Sequence, residues 1–157
     1  MLLIKIIGVC FIISSTFSFG VLKSAALFDR LKFLRECRAL MAALREQMFF
    51  YRNEIGSILA SDEIKKDYPK ASEVFYKMFL GEEPDYKFSN SRDRKIITEF
   101  VCGLGMSDIE SQMPRCDMLF RDIDEQICEA GGDFTSKAKL YSALSLFAGI
   151  GVSLVII

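Results

Sequence analysis

The chain has 157 residues, of which 20 are Lys or Arg and 21 are Asp or Glu, and it contains no histidine. Aromatic and basic residues are not interleaved on a predicted sheet, so the basic residues suit anionic headgroups better than nucleic acid, and the lack of imidazole excludes serine, cysteine or metal chemistry that relies on it. Five cysteines, odd in number and without a CxxC pair, suit neither a thiolate metal site nor a disulfide framework. They read as buried small apolar side chains in a reducing compartment.

The charges are placed unevenly. Lys5 stands alone at the front, every other charge lies between Lys23 and Lys139, and none falls in 6–22 or 140–157. This divides the chain into an apolar segment 1–22, a polar domain 23–139 and an apolar segment 140–157. A helix over the 17 residues from Ile6 to Leu22 rises ~26 Å, and Lys5 and Lys23 can snorkel to make up the ~30 Å of a bilayer core. Both apolar segments are expected to be transmembrane helices, the second opening on an interfacial Tyr141. A cleaved signal peptide ending near "SFG", Ser18 to Gly20, is the rival reading of the first. Against it, Lys23, Arg30, Lys32, Arg35, Arg38, Arg45 and Arg52 outnumber Asp29, Glu36 and Glu46 after the apolar run. Positive charge at the end of a span holds that side in the cytoplasm, which places the middle domain there.

After Lys23 no glycine occurs until Gly56 and no proline until Pro69. Leu34, Cys37, Met41, Leu44, Met48, Tyr51, Ile55 and Ile58, spaced by threes and fours, predict one long helix with a heptad seam, and Arg38, Arg45 and Arg52 follow on a neighbouring row. The seam suits an intermolecular coiled coil or the longest helix of an antiparallel bundle; further amphipathic helices within reach favour the bundle.

Pro69 announces a second helix, with Asp67 as its nearby cap, an apolar face of Ala71, Val74, Phe75, Met78 and Phe79, and Gly81 to end it. The loop "EEPDYKFSNSRD", Glu82 to Asp93, leads to a third helix from about Arg92 to Leu104, capped by Ser91 and burying Ile96, Ile97, Phe100, Val101 and Leu104.

Next comes "VCGLGMSDIESQ", Val101 to Gln112. A phosphate-binding glycine loop follows a strand and ends in further glycines or Gly-Lys-Ser, whereas this stretch follows a helical pattern and no lysine comes after it. Gly105 fits the left-handed close of a helix, and Ser107 with Glu110 forms a capping box for the next, so a helix joint is expected. A fourth helix buries Ile109, Cys116, Leu119, Phe120, Ile123 and Ile127. Asp117, Arg121, Asp124 and Glu125 sit opposite, with spacings for surface ion pairs along the helix. Pro114 predicts a kink or a true start, and Gly131 with Gly132 a break or bend before the last apolar segment.

No Walker, zinc or kinase signature is present, and Asp62 with Glu63 and Glu82 with Glu83 stand in turn-like polar segments. The residues therefore point to no catalytic, cofactor-binding or metal-binding set. The membrane segments offer contact ridges instead: Cys10, Ser14 and Ser18 in the first, and Ser145, Gly149 and Ser153 in the second, each every fourth residue.

In three stretches the layout resembles the stage III sporulation protein AB family. These are "MLLIKIIGVCFIISSTFSFG" leading into the basic helix with "LREQMFFYRNEI", Leu44 to Ile55; "FVCGLGMSDIESQ", where Gly105, Ser107, Asp108 and Gln112 match the family's helix joint; and "AKLYSALSLFAGIGVSLVII", similar to its closing membrane helix. Pro114, Gly131 and Gly132 depart from a family pattern of one long helix entering the membrane. The resemblance implies an all-α helical bundle flanked by two transmembrane helices. It also implies a nonenzymatic part in the channel complex joining mother cell and forespore, without cofactor, nucleic acid or small-molecule substrate. Its partners are then the membrane of the mother cell around the forespore and the other subunits of that secretion-like complex, including its ATPase. A membrane-bound regulator that dimerises through the heptad helix is the alternative.

Overall fold

The computed structural model describes residues 2–51, 55–104 and 109–156, with the backbone alone at 2–7, 48–51, 109–112, 152–156 and a few single positions in the outer helices. Every element among them is helical: α1 Leu2–Tyr51, α2 Ile55–Ala60, α3 Asp62–Asp67, α4 Pro69–Phe79, α5 Ser91–Gly103 and α6 Ile109–Ile156. The all-α expectation is met. The chain forms two compact units, one of Arg30–Glu129 and one of Met1–Asp29 with Ala130–Ile157.

In Arg30–Glu129 the core is built around α1. Leu34, Cys37, Met41 and Leu44 of the expected seam have no exposed surface, but Leu31, Phe33 and Leu40 are buried beside them. That buried face is wider than a two-residue heptad stripe, as required of a helix packed on more than one side. Over Leu34–Leu44 the seam is therefore filled within one chain; the side chains of Met48 and Tyr51 lie outside the description. Phe75 of α4 and Phe100 of α5 pack at 6.1 Å between ring centres, and Phe100 meets Phe120 of α6 edge-on at 6.4 Å.

The expected single helix through Ile58 crosses 52–54, which lie outside the described residues: α1 is described to Tyr51 and α2 from Ile55, and the short α3 follows after Ser61. Asp62 and Glu63, read from the sequence as turn residues, form the first turn of α3, with Lys65 and Lys66 in its last turn. Negative charge at a helix start and positive charge at its end complement the helix dipole. Ser61 caps it, its Oγ accepting from Ile64 N at 3.4 Å.

Helix α4 starts at Pro69 as expected, but Asp67 belongs to the end of α3 and does not cap it. The first-turn amides of Lys70 and Ala71 donate instead to Glu36 Oε1 of α1, at 2.6 and 3.0 Å. Its end is also as the sequence suggests: Gly81 has φ +77°, with Gly81 N bonded to Met78 O and Glu82 N to Lys77 O. Those two bonds make a Schellman turn, which needs a left-handed residue at that point. Helix α5 buries all five expected apolar residues. Its cap is Asn90 rather than Ser91, in a reciprocal box with Asp93.

In α6, Leu119, Phe120 and Ile123 are buried, whereas Cys116 and Ile127 are half-buried and Gln126 is fully buried. The helix contains Pro114 rather than starting at it. The missing N–H there forgoes one bond within the first two turns. No break occurs at Gly131 and Gly132. Thr135 Oγ1 donates to both of their carbonyls, at 2.8 and 3.1 Å, and Ser136 Oγ to that of Gly132 at 2.7 Å. These hydroxyls cover the carbonyls that the missing side chains leave bare. The uninterrupted helix restores the family-like long helix from which those residues departed.

In the other unit the start of α1 and the end of α6 run antiparallel. Phe28 and Phe134 meet at 5.5 Å between ring centres, and further along Gly20 lies against Ser145 and the carbonyl of Tyr141. The apolar segments 1–22 and 140–157 fall, where described, in the outer ends of α1 and α6. Among the described residues no helix is long and apolar enough to cross a membrane.

Candidate functional site

The joint expected at Val101–Gln112 is flanked by α5 and α6, not by a strand. Leu104 leaves α5 in an extended conformation, its N–H on Val101 O at 3.1 Å. Gly105, Ser107 and Asp108 lie outside the described residues; Glu110 and Gln112 fall in the first turn of α6, with their side chains outside the description.

Of the small-residue ridges, Ser14 and Ser18 are exposed, with Ser18 Oγ turned back onto Ser14 O at 2.8 Å. The close approach in α1 is at Gly20 instead. A Cβ there would overlap the Ser145 side chain, with Ser145 Cβ at 2.9 Å and Tyr141 O at 3.0 Å. Gly149 and Ser153 are helical, and nothing of their side-chain surroundings is described.

Sequence reasoning missed the polar joint of α1, α5 and α6. The Asp93 carboxylate, without exposed surface, accepts from Arg30 Nε at 2.9 Å and from a second guanidinium nitrogen at 3.1 Å. Asn90 N also donates to it at 2.9 Å, and Arg30 reaches Gln126 Oε1 at 3.2 Å. Gln126 in turn donates to Glu129 at 3.1 Å. A buried carboxylate is tolerable when its lone pairs are filled and its charge is matched, as they are here. One local signal was available: Asp93 stands three residues after Asn90, the spacing of a capping box.

The arginine row of α1 and the acid row of α6 meet. Arg38 pairs with Asp124 at 3.1 Å and Arg45 with Asp117 at 2.9 Å, and both guanidinium groups lie over Phe120, at 5.1 and 5.6 Å from its centre. The acids read from the sequence as paired along their own helix thus reach across to α1. Glu125 reaches to α5 instead, pairing with Arg92 at 3.0 Å. Beside this row lies a cleft of about 580 Å³, lined among the described residues by Arg38, Ala42, Arg45, Glu46, Met113, Asp117 and Phe120.

The cysteines divide by environment. Cys37 is buried, and burial pushes its thiol well above its ordinary pKa, with Glu36 and Asp93 adding to the rise. Cys116 is half-buried and raised by desolvation, against the opposing charge of Arg45. Cys102 and Cys128 are exposed, so the reading of all five as buried apolar residues fails for these two.

Residues 59–157 match the family of stage III sporulation protein AB. The chain belongs to that family. The match takes in α3 to α6, and with them the joint, Asp93, Gln126 and the closing helix; the stretches at 1–20 and 44–55 that also carry the resemblance lie before it. Membership implies a role in stage III of sporulation. No curated protein and no solved structure matches the chain.

Proposed function

We propose that this stage III sporulation protein is a nonenzymatic, membrane-anchored docking component of the channel complex between mother cell and forespore. In this reading 1–29 with 130–157 form a hairpin whose ends, 1–22 and 140–157, lie in the mother-cell membrane around the forespore, and residues 23–139 stand in the cytoplasm. The observation that carries it is the outward face of the hairpin. Ten of the thirteen exposed large apolar side chains among the described residues belong to it, with Phe11 78%, Phe147 72% and Leu22 68% exposed. Small residues face the partner helix at Gly20 and Ser145 while large apolar ones face out, an arrangement that suits lipid and is costly in water. No described helix reaches the length and apolarity of a span. The full sequence of 6–22, which includes residues whose side chains lie outside the description, carries no charge over 17 positions.

The ion pairs of Arg30, Arg38, Arg45 and Arg92 join helices to one another, which suits an assembly role. Other subunits of the complex, including its secretion-type ATPase, are the proposed partners. Dimerisation as a regulator through the heptad helix is disfavoured because Leu34, Cys37, Met41 and Leu44 are already buried.

Deleting the gene in its source strain is expected to collapse the yield of heat-resistant spores while engulfment completes, and the tagged chain is expected to stay in the membrane pellet through alkaline carbonate. Normal spore yield would end the sporulation-channel reading. Release by carbonate would end the hairpin reading.

A further inference from the structure

Among the described residues of Arg30–Glu129, only Phe79, Leu80 and Met118 are large, apolar and exposed. Two of these three are adjacent, at the end of α4, with Phe79 44% and Leu80 54% exposed. The Phe79 ring rests on the bare backbone of α2: a Cβ at Gly56 would lie 3.0 Å from its Cε1. The ring is thereby seated on one side and open on the other.

The chain just beyond is acidic and held in place. Glu82, Glu83 and Asp85 are exposed. The Schellman bonds from Gly81 N to Met78 O at 3.0 Å and from Glu82 N to Lys77 O at 2.9 Å fix the turn, Pro84 is buried, and Asp85 Oδ1 accepts from Lys87 N at 3.1 Å. Lys77 is held above its ordinary pKa first by its bond to Glu73 and that charge, with Glu82 and Asp85 adding to it.

An apolar pair beside an ordered turn that carries three exposed acidic side chains repels an anionic lipid surface and attracts positive charge. We propose that the end of α4 is a docking surface for a basic amphipathic segment of a protein partner, its apolar side chain covering Phe79 and Leu80 and its Lys or Arg side chains meeting Glu82, Glu83 and Asp85. Because the turn is already ordered, little is lost in ordering it on binding. The surface supplies the partner chemistry for the docking role proposed above, but it belongs to Arg30–Glu129 and stands without the membrane hairpin.

The test uses the full chain in neutral phosphatidylcholine nanodiscs, with empty discs as blank, titrated with a fluorescent amphipathic helix of leucine and lysine. A matched probe carrying glutamate for lysine is the control. The lysine probe is expected to bind saturably, and affinity is expected to fall about tenfold or more in Leu80→Ser and in the Glu82→Lys, Glu83→Lys double variant, each confined to exposed positions. Equal affinity in all three proteins, or equal binding of the glutamate probe, would overturn the proposal. So would wild-type self-association that these variants abolish, since the occupant would then be a second copy. Peptide binding is read without spores: its failure leaves the docking role to other surfaces, whereas normal spores on deletion would end that role and leave the peptide result standing.

Discussion

In Arg30–Glu129 large apolar side chains such as Phe75, Ile97 and Leu119 are shut inside and charges tie helix to helix, whereas in 1–29 with 130–157 small residues meet and Phe11, Leu144 and Phe147 face out. The same two helices, α1 and α6, serve both units. Helicity therefore does not distinguish them; what differs is where most large apolar side chains point and, at Gly20, the side-chain volume at the contact. A domain held by burial in water is broken by removing volume, and a hairpin held by close backbone approach is broken by adding it.

The largest effect is expected from the first kind of change. Phe100, 2% exposed, touches aromatic rings of both α4 and α6. Phe100→Ala should lower the stability of Arg30–Glu129 by about 3–5 kcal/mol in chemical denaturation. A loss under about 1 kcal/mol would mean that the three helices do not share a core.

Next comes the polar joint. Arg30→Met leaves Asp93 buried and uncompensated and should cost about 2–4 kcal/mol, somewhat below a fully enclosed pair because Arg30 is 15% exposed. Adding Asp93→Leu to Arg30→Met should recover part of that loss. If the double variant is worse by the sum of the two single losses, the pair is not coupled.

In the other unit the direction reverses. Gly20→Leu drives a side chain into Ser145 and the Tyr141 carbonyl, an overpacking penalty of about 1–3 kcal/mol. Disulfide trapping between Phe28→Cys and Phe134→Cys should become inefficient in that background, while the denaturation midpoint of Arg30–Glu129 stays put. A shift of that midpoint with trapping unchanged would contradict the division into two contact types.

The pH dependence follows from Cys37, whose folded thiol is held above its ordinary value of 9.0 by burial. The unfolded thiol ionises first, so above pH 9 the unfolded state carries fewer protons and stability falls, by at most ~1.4 kcal/mol per pH unit from this group. Cys37→Ala should flatten that alkaline slope whatever it does to stability at neutral pH.

Much of the helical layout was legible because its signals are local. Pro69, Gly81 and the apolar spacing of Ile96, Ile97, Phe100 and Val101 each act within a turn or two. What was not legible depends on partners distant in sequence. Glu36 caps α4 from 34 residues away, Arg30 finds Asp93 across 63 and Gln126 across 96, and no local rule links them. Gly131 and Gly132 misled for a related reason: helix propensity counts the cost of each glycine but not the hydroxyls one turn on that cover their carbonyls. Asn90 was passed over for Ser91 because both are good caps and only the Asp93 reach-back separates them.

The smallest effect concerns the rungs at Arg38–Asp124 and Arg45–Asp117. Both aspartates are about half exposed, and exposed pairs contribute about 0–1 kcal/mol each. Asp124→Asn should thus shift stability by about 0.5 kcal/mol or less, an effect that salt should erase. Arg38 and Arg45 are seven residues apart, as are Asp117 and Asp124, so the antiparallel helices match at two successive rungs. Sliding one helix by a turn would set each arginine beside the wrong neighbour, so the rungs serve alignment more than strength. Exchanging the charges at both, Arg38→Asp and Arg45→Asp with Asp117→Arg and Asp124→Arg, should restore most of what either half-exchange loses, whereas the half-exchanged chains face like charges at two points. If the half-exchanged and fully exchanged chains are equally stable, the rungs do not set the alignment, and the packing of Phe120 on α1 and α5 does so alone.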